Sequence, residues 1–210
     1  HDNQPWRTLS AVRWRHRGTG NPADSRTAGT RQEGGEVMNF NTNTNNEQEW
    51  LTPIDIIMAL GSFDLDPCAP PPERRPWATA ERHYSKEEDG DGLCLPWRGR
   101  VWLNPPYSRE TFKWLARLAE HGSGIALTFA RTETNGFHAE VWEKAYCVFF
   151  FRGRLSFGLS GSGEIKDRCN APSCLIAYSL EDSEAIAMAA AANLIQGKIV
   201  WLKPPAGGDR

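Results

Sequence analysis

The chain contains no run of 18 or more apolar residues, so no segment is long enough to span a bilayer as a helix. Its longest apolar stretch, 186–195, is mostly alanine and reads as a helix. Cysteines are few, five in all, odd in number and scattered, which argues against a secreted disulfide framework. None of them makes a paired ligand spacing: Cys169 and Cys174 with His83, His121 or His138 do not read as a zinc site, and no metal is expected. Neither sign of charge prevails. With 24 Lys+Arg against 26 Asp+Glu the net charge is -2, which excludes a histone-like polycation and leaves any nucleic-acid contact to local features. What is present suits one cytoplasmic globular domain: 210 residues, 40% hydrophobic and 24% charged.

Residues 1–37 differ in kind from the rest. They hold Arg7, Arg13, Arg15, Arg17, Arg26 and Arg31, no lysine, and little apolar periodicity. Composition makes this a solvated arm, and two functional readings stand beside it, a phosphate-gripping basic arm and an Arg-rich targeting segment. The favoured reading is a translated leader: Glu33-Gly34-Gly35-Glu36 is codable as a purine-rich ribosome-binding sequence just before Met38, the first methionine. Residues 38–46 are a polar, flexible lead-in.

From Glu47 onward, apolar patterning alternates between strand-like and helix-like. Thr52 as N-cap and Pro53 at the first helical position predict a helix over 54–60, stopped by Gly61. Residues 63–66 alternate like a short strand, and the proline-rich 69–76 excludes regular structure. Strands are expected over 100–103, 124–130, 146–151, 173–178 and 198–203, and helices over 110–120, 137–145 and 181–194. The continuous apolar runs suit strands buried on both faces of a parallel sheet. Residues 152–168 are rich in Gly and Ser with basic residues at both ends, and within them 158–163 read as a mobile loop able to fit a groove. The alternation indicates a three-layer α/β domain.

The most informative stretch is Asn104-Pro105-Pro106-Tyr107, which follows a short apolar strand and precedes a helix. That places it in the crevice at a strand's carboxyl end, where open α/β sheets bind ligands. Two consecutive prolines stiffen the loop and remove two donors while leaving two carbonyls. An Asn side-chain oxygen beside a rigid carbonyl accepts both hydrogens of one planar NH₂ group, and Tyr107 supplies a face for an aromatic ring.

Four segments occur in order: Glu49-Trp50-Leu51-Thr52-Pro53, Leu65-Asp66-Pro67-Cys68-Ala69, Trp102-Leu103-Asn104-Pro105-Pro106-Tyr107-Ser108 and Gly153-Arg154-Leu155-Ser156-Phe157. In this the chain resembles the phage-encoded, S-adenosylmethionine-dependent DNA N6-adenine methyltransferase family, over residues 47–178. The resemblance implies a Rossmann-like methyltransferase fold, a three-layer α/β sandwich with a mostly parallel sheet in a single domain over 47–205. It implies that Asn104 and the Pro105 carbonyl hold the adenine amine, with Pro106 stiffening the turn and Tyr107 stacking on the base. A base in duplex DNA must be flipped to reach such a loop.

For the cofactor, the resemblance implies Asp66, Pro67 and Cys68 after the first strand, Thr52 and Pro53 at its methionine end, and Asp89 or Asp91 at its adenine. Pro70, Pro71 and Pro72 stand where glycines are usual. Thr52 reads equally as a helix cap, and Asp89 and Asp91 equally as turn residues. Arg131, Arg152, Arg154, Lys166 and Arg168 follow successive strand candidates and are expected on one DNA-facing rim. Other readings stay open: another planar amine (an RNA base, cytosine N4, a protein glutamine), or a non-catalytic nucleic-acid-binding module of the same fold.

Overall fold

The computed structural model describes residues 50–159, 162, 165–168 and 171–204, without side-chain placement for 159 and 165–168. These belong to the second of two compact units, Thr44–Arg210. The expectations for residues 1–37 and 38–46 lie outside the described residues.

A seven-stranded sheet is built from β2 (Leu65–Asp66), β3 (Arg82–His83), β4 (Val101–Leu103), β5 (Gly124–Phe129), β6 (Cys147–Phe151), β9 (Ser173–Ala177) and β10 (Gly197–Trp201). Its order is β10-β6-β9-β5-β4-β2-β3. Strands β3, β2, β4 and β5 are parallel neighbours, whereas β9 is antiparallel to both β5 and β6, and β10 is antiparallel to β6. The sheet is therefore mixed rather than mostly parallel, with antiparallel pairing making up most of its ladder. The runs 124–130, 146–151 and 173–178 are buried on both faces because their strands are central, and β9 inserts between β5 and β6 running the other way. Burial on both faces reports position in a sheet, and direction is a separate matter.

Alternate residues of the central strands feed two apolar layers. Trp102, Ile125, Leu127, Phe149 and Leu175 pack with Ile56, Ile57 and Leu60 of α1 (Ile54–Leu60) and Ile186 and Ala189 of α4 (Leu180–Ala191). Val101, Leu103, Ala126, Val148 and Ile176 pack on the other face with Trp114, Leu115 and Leu118 of α2 (Thr111–His121) and with Phe137 and Val141. Helices thus cover both faces. Helix α2 ends at Gly122, whose φ of 75° lets its N–H reach the Leu118 carbonyl. The helix expected over 137–145 is instead a short turn, α3 (Asn135–Phe137), running into a π-type turn, His138–Trp142.

A small second sheet, ordered β1-β7-β8, joins β1 (Trp50–Leu51) to the hairpin β7 (Ser156–Leu159) and β8 (Ile165–Arg168). The Gly- and Ser-rich 152–168 thus carries two strands, and of the expected mobile loop 158–163, residues 160, 161 and 163 lie outside the described residues. The alternation of Leu155, Phe157 and Leu159 with smaller residues was the strand signal of β7.

The amino edge of the large sheet is fastened by one knot. Asp182, buried, accepts from Arg100 Nε at 2.6 Å, from the Gly124 N–H at 2.6 Å and from the Ser179 hydroxyl. Arg100 also donates to the Leu60 and Ser62 carbonyls and lies over the Phe63 ring. Removing one member of such a pair leaves the other charge uncompensated. Asp182→Ala is accordingly expected to lower the unfolding free energy by about 3–5 kcal/mol in a denaturant titration. A loss within about 0.5 kcal/mol would show that the knot contributes little.

Candidate functional site

Strands β2, β3, β4 and β5 all point their carboxyl ends to one edge, and the residues singled out in the sequence converge there. After β4 the chain enters the Asn104 loop, after β2 the Asp66-Pro67-Cys68 loop, and at the end of β5 lies Phe129.

Asn104 is held from both ends of its amide. Its Nδ2 donates to the Trp50 carbonyl at 2.9 Å, and its Oδ1 accepts from the Tyr107 hydroxyl at 3.1 Å. A carbonyl only accepts, so the Trp50 contact fixes which end of the amide is nitrogen. Oδ1 keeps its second lone pair. The next carbonyl, that of buried Pro105, accepts no hydrogen bond among the described residues. Pro106 is exposed, and its carbonyl is taken by the Ser108 N–H at 2.9 Å and the Thr111 hydroxyl at 2.6 Å, which locks the turn into α2. The loop therefore presents two fixed acceptors next to each other.

Tyr107 stacks on Phe129 with ring centroids 4.0 Å apart and planes 13° off parallel. Phe157 of β7 meets it edge-on at 6.5 Å, and Trp50 meets Phe157 edge-on in turn. No further ring fits between Tyr107 and Phe129. Phe129 was not picked out in the sequence, where it reads as one more apolar residue of a buried strand. The hairpin brought Phe157 and the Trp50 carbonyl to the site by pairing β7 with β1, a contact between distant segments that local patterning does not carry.

Asp66 is 4% exposed. Its carboxylate accepts from the Cys68 N–H at 3.2 Å and from the Thr79 hydroxyl. Burial outweighs these bonds and pushes its pKa up to about 6. The Cys68 thiol donates to the Asn104 carbonyl at 3.2 Å, tying the β2 loop to the β4 loop. Burial and the neighbouring Asp66 hold that thiol well above its ordinary range, so it is a protonated tie rather than a nucleophile. A Cβ on Gly92 would meet the Pro67 carbonyl at 1.9 Å, so only glycine allows the 89–92 turn to lie against this loop.

Thr52 is not the cap of α1. The helix begins after Pro53 without a side-chain cap, which leaves Thr52 one residue outside the capping position, and its Oγ1, in a residue 2% exposed, has no hydrogen-bond partner among the described residues. Asp89 and Asp91 are exposed and engaged in their own turn, accepting from the Ser85 and Leu93 N–H groups at 2.9 Å each. Arg131 follows β5, and Arg152 and Arg154 follow β6. All three are exposed at the same edge as Asn104. Lys166 and Arg168 lie on β8, and their side chains are outside the described residues. Among the described residues, no group of three or more His, Cys, Asp or Glu is arranged to hold a metal ion, and no helix is long and apolar enough to cross a membrane.

Paired acceptors for a planar amine, an aromatic face and a crevice at parallel strand ends together describe a site for a ring bearing an exocyclic NH₂. Residues 39–205 match the family model for DNA N-6-adenine-methyltransferase (Dam), and the chain belongs to that family. It is similar to the DNA N-6-adenine-methyltransferase of Escherichia phage T1, 28% identical over 123 residues, which cover 54% of this chain and 48% of that protein. The chain thus spans about half the length of this curated relative. No solved structure matches.

Proposed function

We propose that the chain transfers a methyl group from S-adenosylmethionine to the N6 amine of adenine in DNA, on a Rossmann-like methyltransferase scaffold. The observation that carries this reading is the pinned Asn104 amide, whose oxygen stands next to the unengaged Pro105 carbonyl. Family membership supports the same chemistry.

The residues around the β2 loop fit such a cofactor, which carries an ammonium, a carboxylate and a sulfonium. They offer a desolvated carboxylate at Asp66, an unpartnered buried hydroxyl at Thr52, and a floor closed by Pro67 and Gly92. Thr52, Pro53, Asp66, Pro67 and Cys68 are proposed to hold it, with Asp89 and Asp91 beside its adenine. When bound, the cofactor supplies an electrophilic methyl group on sulfur.

The chain's own contribution is positional. Asn104 Oδ1 and the Pro105 carbonyl accept the two N–H groups of the substrate amine, drawing its lone pair out of conjugation and along the line of transfer. Tyr107 is proposed to stack on the base, and Phe129 backs the tyrosine ring so that it holds its angle. The surplus proton of the methylated amine would be held at Asn104 Oδ1 and the Pro105 carbonyl and pass from them to water. Arg131, Arg152 and Arg154, with Lys166 and Arg168, are proposed to contact backbone phosphates around a flipped adenine.

Incubation of the full chain with methyl-labelled S-adenosylmethionine and, separately, unmethylated duplex DNA, RNA and protein tests the reading. Label is expected in DNA. Label confined to RNA or protein would reassign the substrate, and absence of both transfer and cofactor binding would leave a non-catalytic nucleic-acid-binding module.

A further inference from the structure

Thr111, the first residue of α2, spends its hydroxyl outside the helix. The capping residue of that helix, Glu110, makes no side-chain cap. The Thr111 Oγ1 instead lies 2.6 Å from the Pro106 carbonyl oxygen and 2.8 Å from that of Ser108, and it accepts the Ser108 N–H at 3.1 Å. A hydroxyl has one proton, so the two carbonyls share it. Back-bonding to the carbonyl three residues before is common for threonine. The bond to Pro106 reaches five residues back, past the helix and across Tyr107. Thr111 is 8% exposed, so these bonds are sheltered from water.

The bonds flank Tyr107 on both sides. The Tyr107 hydroxyl in turn donates to Asn104 Oδ1, and Asn104 Nδ2 is held by the Trp50 carbonyl. The loop is thus fastened at Asn104 and again at Pro106 and Ser108, with Pro105 between. Proline rings fix φ at 105 and 106, which leaves the ψ rotations to aim the Pro105 carbonyl. With the Asn104 end held by Trp50, the far end decides where that carbonyl points. The Ser108 hydroxyl is engaged on the Glu110 N–H at 3.1 Å, so the side chain that holds the far end is Thr111.

We propose that Thr111 is a positioning residue for methyl transfer: its hydroxyl fixes the turn from Pro106 to Ser108 and, through it, the aim of the Pro105 carbonyl and the set of the Tyr107 ring. It touches neither substrate nor cofactor. The inference rests on the reading under Proposed function and adds a residue behind the loop. A displaced acceptor still binds the amine but no longer holds it along the line of transfer, so the loss falls on the rate of the bound complex.

Thr111→Val removes the hydroxyl and keeps the branched shape. It orphans neither carbonyl: that of Pro106 keeps the Ser108 N–H, and that of Ser108 keeps the main-chain N–H of residue 111 at 3.3 Å. Single-turnover transfer from methyl-labelled S-adenosylmethionine to unmethylated duplex DNA, both saturating, should be roughly 10- to 100-fold slower than in the wild type. Affinities for S-adenosylmethionine and for DNA, measured by calorimetric titration, should be unchanged. Thr111→Ser, which restores the hydroxyl, should recover most of the rate, and Thr111→Ala should be as slow as Thr111→Val. A wild-type rate in both hydroxyl-free variants would overturn the inference. So would a slow Thr111→Ser, which would put the effect in the packing of the methyl group. Weakened cofactor or DNA binding at an unchanged rate would overturn it, as would failure of both hydroxyl-free variants to fold, which would mark a structural role. In those cases the methyltransferase reading stands. A wild type that transfers no methyl group to DNA would overturn that reading, and this inference with it.

Discussion

Asn104→Ala is expected to cut methyl transfer by at least about 10²–10³-fold while leaving cofactor affinity unchanged. The substitution removes one of the two acceptors proposed to hold the substrate amine, and it spares the β2 loop. The side chain also anchors β1 through the Trp50 carbonyl, so a modest loss of stability of about 0.5–1.5 kcal/mol is expected with it. Single-turnover kinetics with saturating cofactor and DNA separate the two effects. A variant that transfers at the wild-type rate would show that the amine is held elsewhere.

Asp66→Asn is expected to move stability and binding in opposite directions. The folded-state pKa of Asp66, about 6, lies above its ordinary value of 3.8. The native protein therefore binds this proton more tightly than the unfolded chain does. Asp66's stabilising contribution is complete below about pH 3.8 and is lost as pH rises through about 6. At pH 8 the buried carboxylate is a liability on the order of 1–3 kcal/mol, which Asn removes. The variant's advantage in unfolding free energy should thus be greater at pH 8 than at pH 5. Cofactor affinity should fall by roughly 10- to 100-fold, because a buried charge loses its role as ammonium acceptor.

In the wild type, cofactor affinity should fall as pH drops through about 6, where Asp66 takes up its proton. Thr79, Cys68 and Arg75 face this carboxylate. His83, behind the Thr79 turn, is held down to about 4 by burial and by Arg75, so it stays neutral across the same window. The Cys68 thiol stays protonated there too. A pH-independent cofactor affinity between 5 and 8 would contradict the assignment of Asp66.

The position of the Asn104 loop was legible in the sequence because its signals are local. Two prolines after a three-residue apolar strand place Asn104 at a strand end whatever the rest of the fold does, and Gly122 marks the end of the following helix by its need for a positive φ. Strands β5, β6, β9 and β10 and helix α4 lie within a few residues of where apolar runs and spacing put them. Their directions were not legible, since two-sided burial is the same for parallel and antiparallel strands, and β9 turned out to run against both neighbours.

The site's remaining parts depend on pairing between distant segments. Two-residue strands such as β1 and β3 carry no periodicity at all. Phe157 reaches Tyr107 only because β7 pairs with β1, and the segment after the three prolines is tied down only by bonds to distant residues, from the Trp77 indole to the Thr52 carbonyl and from the Thr79 hydroxyl to Asp66. The three prolines, read in the sequence as a departure from a cofactor loop, lead in the structure into the 3₁₀ turn Pro72–Arg74.

The central claim is that a methyl group passes directly to an adenine amine held by Asn104 and Pro105. Its most direct test supplies the full chain with S-adenosylmethionine bearing a fully deuterated methyl group and unmethylated duplex DNA, then analyses the nucleosides by mass. The account predicts N6-methyladenine retaining all of the methyl deuterium, made by the wild type and not by Asn104→Ala. Methylation at cytosine N4, or N6-methyladenine formed equally by the variant, would contradict it.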